Sequence, residues 1–197
     1  MAPEFLIGQR IHLRGLKAED IAAGGPYHRW MNDLSLDFHT ERAYYPYTPE
    51  KMRAYFEGTV RYEDRFVLAI CDTETGRHIG NIGLSAINWI HRRACIGYLI
   101  GEKEFAGRGI ATDANLMFMY YGFAKLNFER IHASAIEPHR ASRRVLEKAG
   151  MLEEGRSRRH LLRAGVWHDD ILYGALREEW MATHGAKARA LFAELPA

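Results

Sequence analysis

Residues 94–112 read ACIGYLIGEKEFAGRGIAT. The apolar run that ends at Ile100 is typical of a buried strand, and a helix is predicted to follow the glycines. Gly107 and Gly109, one residue apart between these two elements, allow the backbone to turn tightly and to approach a ligand closely. The amides of residues 107–112 then become the unpaired first-turn donors at the positive end of the helix. Such an arrangement is typical of a cradle for phosphate groups.

The loop matches neither of two common phosphate-binding motifs. A P-loop requires Gly-Lys-Ser/Thr after its glycines, and no such tripeptide occurs. A dinucleotide-binding fingerprint requires a third Gly or Ala where Thr112 stands and an acidic residue near the end of the next strand. Glu129 instead precedes that strand. Taken alone, the Gly-x-Gly pair leaves two interpretations open, a ligand-binding loop and a plain glycine turn.

The segments around the loop predict an α/β protein built on a mixed α+β sheet. The helix after the glycines, to about Leu126, is apolar nearly all round, which indicates burial against a sheet. With a strand over 130–136 and a helix over about 140–150, it completes a central β-α-β-α unit. The flanking predictions are a first strand over 6–16, helical pieces over 18–23 and 27–32, a helix over 49–60, an antiparallel hairpin of strands 66–71 and 78–84, a C-terminal hairpin of strands 151–160 and 166–175, and a helical extension over 176–195.

Composition bounds the class of protein. The chain has 197 residues, 47% hydrophobic and 26% charged, which is ordinary for one soluble globular domain spanning 1–197. The net charge of +2 does not imply wholesale binding to nucleic acid or to a membrane surface. No apolar run approaches the roughly 18 residues of a membrane span, and the first residues do not resemble a signal peptide. We therefore expect a cytoplasmic protein whose two cysteines, Cys71 and Cys95, are reduced.

An ordered set of short motifs carries a family resemblance. The residues are Gly97-Tyr98-Leu99-Ile100, Gly107-Arg108-Gly109-Ile110-Ala111-Thr112-Asp113-Ala114, Phe123-Ala124-Lys125-Leu126, Arg130-Ile131, Arg140-Ala141-Ser142-Arg143-Arg144-Val145-Leu146-Glu147-Lys148-Ala149-Gly150 and Glu154-Gly155. Together they resemble the Gcn5-related N-acetyltransferase (GNAT) superfamily, most closely its branch of ribosomal-protein N-terminal acetyltransferases (RimJ/RimL type). The resemblance covers roughly residues 5 to 180.

The resemblance implies acetyl-CoA as the cofactor and acetyl donor, and no metal. In the superfamily the glycine loop holds the pyrophosphate, and the strand before it lines the pantetheine where it diverges from the next parallel strand. A backbone amide of that strand polarises the thioester carbonyl. The residues assigned in this way to cofactor binding are Tyr98, Leu99, Ile100, Gly107, Arg108, Gly109, Ile110, Ala111, Thr112, His139 and Arg143. For Leu99 and Ile100, plain core packing is a compatible second interpretation.

The acid that meets the departing thiolate is the least conventional part of the pattern. Many family members place a Tyr where this chain has Leu146, which cannot donate a proton. The RimJ/RimL branch often uses a Ser earlier on the same helix, which matches Ser142. We therefore predict Ser142 as the catalytic acid, acting through its hydroxyl or through water. The alternative is a first-turn serine that bonds its own helix backbone.

Other positions depart from the family pattern or stay open. Glu104 stands where Gln or Arg is frequent, and His139 replaces an Asn that caps the second helix. The general base is left open among five side chains and water: His39, Glu41, His91, Asp169 and Asp170. Aromatic residues that could wall the acceptor site are Tyr44, Tyr45, Tyr47 and Trp89. An Arg-rich segment over 137–163 could face an acidic acceptor or simply solvent.

The first functional hypothesis is an acetyl-CoA-dependent N-acetyltransferase that acts on a primary amine. The acceptor would be a protein N-terminus or a small amino compound such as an amino sugar, and the Arg-rich segment argues weakly against a polycation. The alternative is an acyl-CoA-binding or nucleic-acid-associated protein of the same fold without turnover. The expected partners are acetyl-CoA and the amine, and neither nucleic acid nor a membrane is expected as a partner. The branch makes a homodimer plausible.

Overall fold

A computed structural model describes residues 4–33, 36, 44–59 and 64–194. Within them, nine strands form one mixed sheet in the order β7-β8-β6-β5-β4-β3-β2-β1-β9. The strands are β1 Glu4–Gly8, β2 Ile11–Gly15, β3 Phe66–Asp72, β4 His78–Asn88, β5 Arg93–Ile100, β6 Arg130–Ile136, β7 Leu152–Arg163, β8 Val166–Leu176 and β9 Phe192–Glu194. The helices are α1 Ala18–Ile21, α2 Pro26–Asn32, α3 Pro49–Thr59, α4 Ile110–Ala124, α5 Arg140–Lys148 and α6 Arg177–Arg189. The predicted mixed α/β fold is confirmed.

The centre of the sheet is the parallel pair β5 and β6. Their register extends only over Arg93–Cys95 against Arg130–His132, although both strands continue beyond it. Past that point β5 stays paired with β4 and β6 stays paired with β8, so the two strands diverge. A wedge-shaped gap therefore opens between them, as the family resemblance implies for the pantetheine arm.

The helices cover the two faces of the sheet. Helices α4, α5 and α6 contribute to the main buried cluster, whereas α1, α2 and α3 form a second cluster that includes Trp30. Along β5, Tyr98 and Ile100 pack against the main cluster and Leu99 packs against the second. Because successive strand residues point to opposite faces, the two helix groups lie on opposite sides of the sheet. α4 is the central buried helix that its apolar sequence predicts.

Two predictions for the ends of the chain are wrong in detail. The single strand predicted over 6–16 is a hairpin, since β1 and β2 pair antiparallel around a turn at Gln9 and Arg10. The helix predicted over 176–195 runs from Arg177 to Arg189, and residues 192–194 then pair with β1 as an edge strand. A three-residue strand is too short to show alternation, and it is held by burial of Phe192 against Tyr120.

No helix in the described part of the chain is long and apolar enough to cross a membrane. Both cysteines are free, Cys71 buried and Cys95 partly buried. Among the described residues, no group of three or more His, Cys, Asp or Glu side chains is placed to hold a metal ion.

A buried ionic network fastens α1 to β2 and β4. The guanidinium of Arg14 donates to both carboxylate oxygens of Asp20, at 2.7 and 3.0 Å. Nδ1 of His78 lies 3.0 Å from the same carboxylate, and its Nε2 lies 2.9 Å from the carbonyl oxygen of Gly80. Burial acts to raise the pKa of Asp20, but the hydrogen bonds from His78 and Arg14 outweigh it and hold that pKa well below its usual value. The carboxylate therefore stays ionised in the folded protein at any ordinary pH.

We expect Asp20→Asn to lower the free energy of unfolding by about 3–5 kcal/mol, because it leaves Arg14 buried without its counter-charge. The wild-type contribution is complete above the unfolded-state pKa of about 4 and is lost as pH falls through the lower folded-state value. The variant should therefore lose less stability than the wild type on acidification. Urea unfolding at several pH values measures both effects, with Glu19→Gln, an exposed neighbour, as the control. Equal stability of the two variants would contradict the assignment.

Candidate active site

The glycine loop forms an open nest of backbone amides before α4. Gly107 and Gly109 both have positive φ, +74° and +84°, with Arg108 between them. Residues 106–109 are exposed, and the first α-helical bond joins the Asp113 amide to the Gly109 carbonyl. The amides of residues 107–112 donate no hydrogen bond to any described residue. Successive free amides at a helix start form a concave anion site, so the loop can bind a phosphate group.

Arg10 holds this loop from the β1–β2 turn. Its guanidinium donates to the carbonyl oxygen of Arg108 at 2.7 Å and to the carboxylate of Asp113 at 2.9 Å. Partial burial raises the pKa of Asp113, while Arg10 acts to lower it. The contact fixes the loop and offsets a negative charge in the first turn of the helix. Sequence reasoning missed Arg10 because the two segments are about a hundred positions apart and neither carries a local signal.

The acidic residue at Glu104 is neutralised within the protein. Arg77 donates to Glu104 and also to Glu102, and the indole nitrogen of Trp30 donates to Glu102 at 2.9 Å. Arg108 lies over the ring of Phe105, 5.5 Å from its centroid. The carboxylate that departs from the family pattern is therefore paired with Arg77, which reduces its repulsion of a phosphate in the loop.

The backbone of β5 offers hydrogen-bonding groups to the gap. The Gly101 amide donates to the Ile79 carbonyl at 2.9 Å, and the β4–β5 register is regular from Gly80 to Ser85. Hydrogen-bonded and non-bonded pairs alternate in an antiparallel ladder, so Leu99 directs its backbone groups to β4. Tyr98 and Ile100 then direct theirs into the gap. Two amides and two carbonyls are available there to an extended ligand with amide groups of its own.

Ser142 and Tyr98 meet across the mouth of the gap. The hydroxyl of Tyr98 lies 3.1 Å from Oγ of Ser142 and 3.5 Å from the carbonyl oxygen of the same residue. Burial raises the pKa of Tyr98 to about 12, against a lowering effect of the Ser142 bond. The phenol therefore stays protonated at neutral pH and acts as a donor. Leu146, in the family's usual tyrosine position, is 2% exposed and belongs to the core.

The two other predicted cofactor residues lie at the start of α5. His139 occupies the N-cap position without a side-chain cap bond, and it is partly buried. The guanidinium of Arg143 donates to the hydroxyl of Tyr173 at 3.1 Å and lies 3.5 Å from a carboxylate oxygen of Glu153. Its charge is therefore engaged by the protein. The neighbouring Arg140 is exposed, and its guanidinium forms no hydrogen bond or ion pair with the described residues.

The structure separates the candidates for the general base. His39 and Glu41 lie outside the described residues. His91 belongs to the β4–β5 turn, at the end of β5 away from the gap. Asp169 accepts from Arg156 at 3.1 Å and from the backbone amide of Arg159 at 2.8 Å. Asp170 is 6% exposed, and no described residue forms a hydrogen bond or ion pair with its carboxylate.

The predicted aromatic wall is only partly assembled around the gap. Trp89 stacks on Phe128, at the turn before β5 and away from the gap. Tyr44 and Tyr45 are more than half exposed, and the hydroxyl of Tyr44 donates to the carbonyl oxygen of Leu162 at 2.6 Å. Tyr47 packs against the second cluster. Of the four, Tyr44 is thus the one with a described contact to the β7–β8 hairpin.

Part of the Arg-rich segment is engaged in ion pairs and a ring contact. Arg156 lies between the carboxylates of Glu137, at 2.9 Å, and Asp169. Arg159 lies over the ring of Trp167, 5.5 Å from its centroid. Such pairing removes positive charge from the surface that a nucleic acid would need, since its phosphates are bound through free Lys and Arg.

Comparison with known proteins agrees with this geometry. Residues 10–152 match the family described as Acetyltransferase (GNAT) domain. The probable N-acetyltransferase YjcK of Bacillus subtilis is 30% identical over 89% of this chain and 98% of its own length. The putative ribosomal N-acetyltransferase YdaF of the same organism is 39% identical, over 53% of this chain and 57% of that protein.

Solved structures show the same fold. A spermidine N-acetyltransferase from Vibrio cholerae, crystallised with CoA and spermine, superimposes with a TM-score of 0.77 at 20% identity. The alignment covers 87% of this chain and 98% of that chain. The glycine nest, the diverging strands and the family match therefore lead to one conclusion. The chain belongs to the GNAT acetyltransferases and is an N-acetyltransferase that transfers the acetyl group of acetyl-CoA to an amine.

Proposed function

We propose that the glycine loop binds the pyrophosphate of acetyl-CoA and that the gap between β5 and β6 takes its pantetheine arm. The observation that carries this proposal is the run of six loop amides, 107–112, without acceptors in the described chain. The free backbone groups of Tyr98 and Ile100 match the amides of pantetheine. Leu99 supports the strand from the other face. His139 and the exposed Arg140 flank the loop side of α5, where the 3′-phosphate would lie, and Arg143 steadies that helix end.

We propose that the backbone of β5 and the side chain of Ser142 together promote transfer of the acetyl group. A backbone amide of Tyr98 or Ile100 donates to the thioester oxygen as negative charge develops there. The bound ammonium first loses a proton to water, and the neutral amine attacks the carbonyl carbon, forming the C–N bond as the C–S bond breaks. The nitrogen then gives its surplus proton to water, which leaves a neutral amide. Ser142 gives its hydroxyl proton to the departing sulfur and regains one from water. Tyr98 donates to Oγ of Ser142 and so directs the serine hydrogen away from itself.

For the acceptor, we propose an amine of the class served by the ribosomal N-terminal acetyltransferase branch or a small amino compound such as an amino sugar. The similarity to YdaF, a putative ribosomal N-acetyltransferase, supports the first. The similarity to the Vibrio cholerae spermidine N-acetyltransferase adds polyamines to the small compounds. Pairing of Arg156 with two acids weakens the electrostatic argument against a cationic acceptor. A homodimer is the assembly we propose, to be measured by light scattering.

Two measurements test this function. Isothermal titration should show one acetyl-CoA bound per chain, with affinity in the micromolar-to-millimolar range usual for enzyme substrates. A thiol-release assay over a panel of peptide N-termini, amino sugars, polyamines and n-butylamine should then identify the acceptor. Binding without thiol release from any amine would overturn the transfer proposal, and absence of binding would overturn the site as well.

A further inference from the structure

Three strands expose their surfaces on the face of the sheet opposite α4. Ile96 and Tyr98 belong to the main core, so Gly97 between them points to the other face, where a Cβ atom would meet nothing within 4 Å. On β6 and β8, Ser134 and Leu172 lie opposite each other and are both exposed. We name this surface, lined by Gly97, Ser134 and Leu172, the open trough. It borders the point where β5 and β6 diverge.

Asp170 lies at one end of the open trough. It is the next residue along β8 on the same face as Leu172, about 7 Å further on, since same-face strand residues are two positions apart. Its partner in register is Ile136, and the intervening pair Ala135 and Ile171 belongs to the main core on the other face. Burial raises the pKa of the Cys95 thiol, a hydrogen bond with Ser85 acts to lower it, and the charge of Asp170 acts to raise it further. Cys95 is the last β5 residue paired with β6, so the negative charge of Asp170 acts electrostatically at the point where the gap begins.

The surroundings of this carboxylate are incomplete. Asp170 is 6% exposed, yet no Lys, Arg or His of the described chain pairs with it and no described donor bonds it. The neighbouring Asp169 points to the opposite face and has both Arg156 and the Arg159 amide. A nearly buried carboxylate is stable when a cation or donors complete it, and an isolated one is costly. The carboxylate is therefore available to a cation or a donor from outside the described residues.

We propose that Asp170 is the counter-ion for the ammonium group of the acceptor and that the open trough is the acceptor channel. The inference rests on the proposed function, because it needs the thioester to lie at the gap. It names the acceptor class: an amine that binds as a cation, with its carbon chain along Gly97 and Leu172. An acceptor that is uncharged at neutral pH gains nothing from Asp170.

Two small amines of different charge test the proposal. The probes are n-butylamine, a cation at neutral pH, and 4-methylaniline, which is uncharged there. Each is measured as an acceptor, or as a competitive inhibitor against the best amine of the panel. Asp170→Asn is expected to raise the KM or inhibition constant of n-butylamine at least about tenfold, as loss of one partner of a desolvated ion pair does. The same constant for 4-methylaniline should change by no more than about twofold. Asp170→Glu should restore part of the loss.

The control is Asp169→Asn, which removes the charge of the adjacent carboxylate on the opposite face. It should leave the KM or inhibition constants of both amine probes unchanged. The KM for acetyl-CoA should stay constant in all three variants. An unchanged constant for n-butylamine, or an equal loss for both probes, would overturn the proposal while leaving acetyl transfer intact. If Asp170→Asn does not fold, the test uses the wild-type protein. There n-butylamine should bind at least about tenfold more tightly than n-butanol, and equal binding of the two would refute the ion pair.

Discussion

Gly109→Val is expected to weaken acetyl-CoA binding about a hundredfold. Gly109 has φ of +84°, a region that a β-branched residue adopts only with strain. Relief of that strain rotates the peptides on either side, so that the amides before α4 no longer converge on one point. Loss of one or two hydrogen bonds to a charged phosphate costs about 1.5–3 kcal/mol each, which corresponds to a factor of about ten or more per bond. Isothermal titration measures the change.

A truncated donor and a matched glycine make this test specific. Acetyl-pantetheine lacks the pyrophosphate, so its kcat/KM should be equally low in the wild type and in Gly109→Val. Gly165→Val introduces the same kind of strain in the β7–β8 turn, at φ of +79° with open space around it. That variant should bind acetyl-CoA normally. An equal loss for acetyl-pantetheine would show that the loop does not act through phosphate.

Ser142→Ala is expected to lower kcat about a hundredfold with little change in the Kd for acetyl-CoA, because a positioned acid acts on the leaving sulfur and not on the bound ground state. Tyr98→Phe should lower kcat about tenfold, since it removes the donor that orients the serine hydroxyl at 3.1 Å. The double variant should be no slower than Ser142→Ala alone. Coupled loss of this kind is what a double-mutant cycle detects for groups acting as one unit.

The cycle separates a chemical role from a packing role. Tyr121→Phe removes another partly buried phenol, on α4, and should leave kcat unchanged. Because the pKa of Tyr98 is raised to about 12, its ionisation should not appear in the kcat–pH profile near neutrality. Additive losses in the cycle would exclude Tyr98 from orienting Ser142. Unchanged turnover in Ser142→Ala would remove the serine from the mechanism.

Local patterns were sufficient for the centre of the fold. The apolar run to Ile100, the paired glycines and the all-round apolar α4 predict the elements around the gap to within one or two residues. The hairpins β3–β4 and β7–β8 were predictable because turn residues, around Gly76 and Gly165, separate their strands. The β1–β2 turn was missed because Gln9-Arg10 is not a typical turn pair, and β9 was missed because three residues carry no period.

The side-chain constellation was only partly predictable. The family resemblance predicted Ser142, whereas the loop glycines could be predicted from the sequence because they depend on local backbone geometry. The sequence did not predict the contact of Tyr98 with Ser142 or the hydrogen bond from Arg10 to the backbone of the loop. Both contacts join segments that are distant in sequence, and their formation depends on how the sheet brings those segments together. Asp169 and Asp170 are adjacent on a predicted strand and therefore face opposite sides, but only the strand pairing shows which of them lies on the face of Leu172.

The short register between β5 and β6 has a mechanical consequence. Within the sheet, only three residue pairs join β5 to β6, and these pairs connect the six strands on the β5 side, β9 included, to the three on the β6 side. A bound thioester arm would complete the ladder where the chain itself supplies no neighbour, acting as a removable substitute strand. Loading and release of the donor should therefore stiffen and loosen the whole molecule along this seam. Amide hydrogen exchange at Tyr98 and Ile100 would record that change directly.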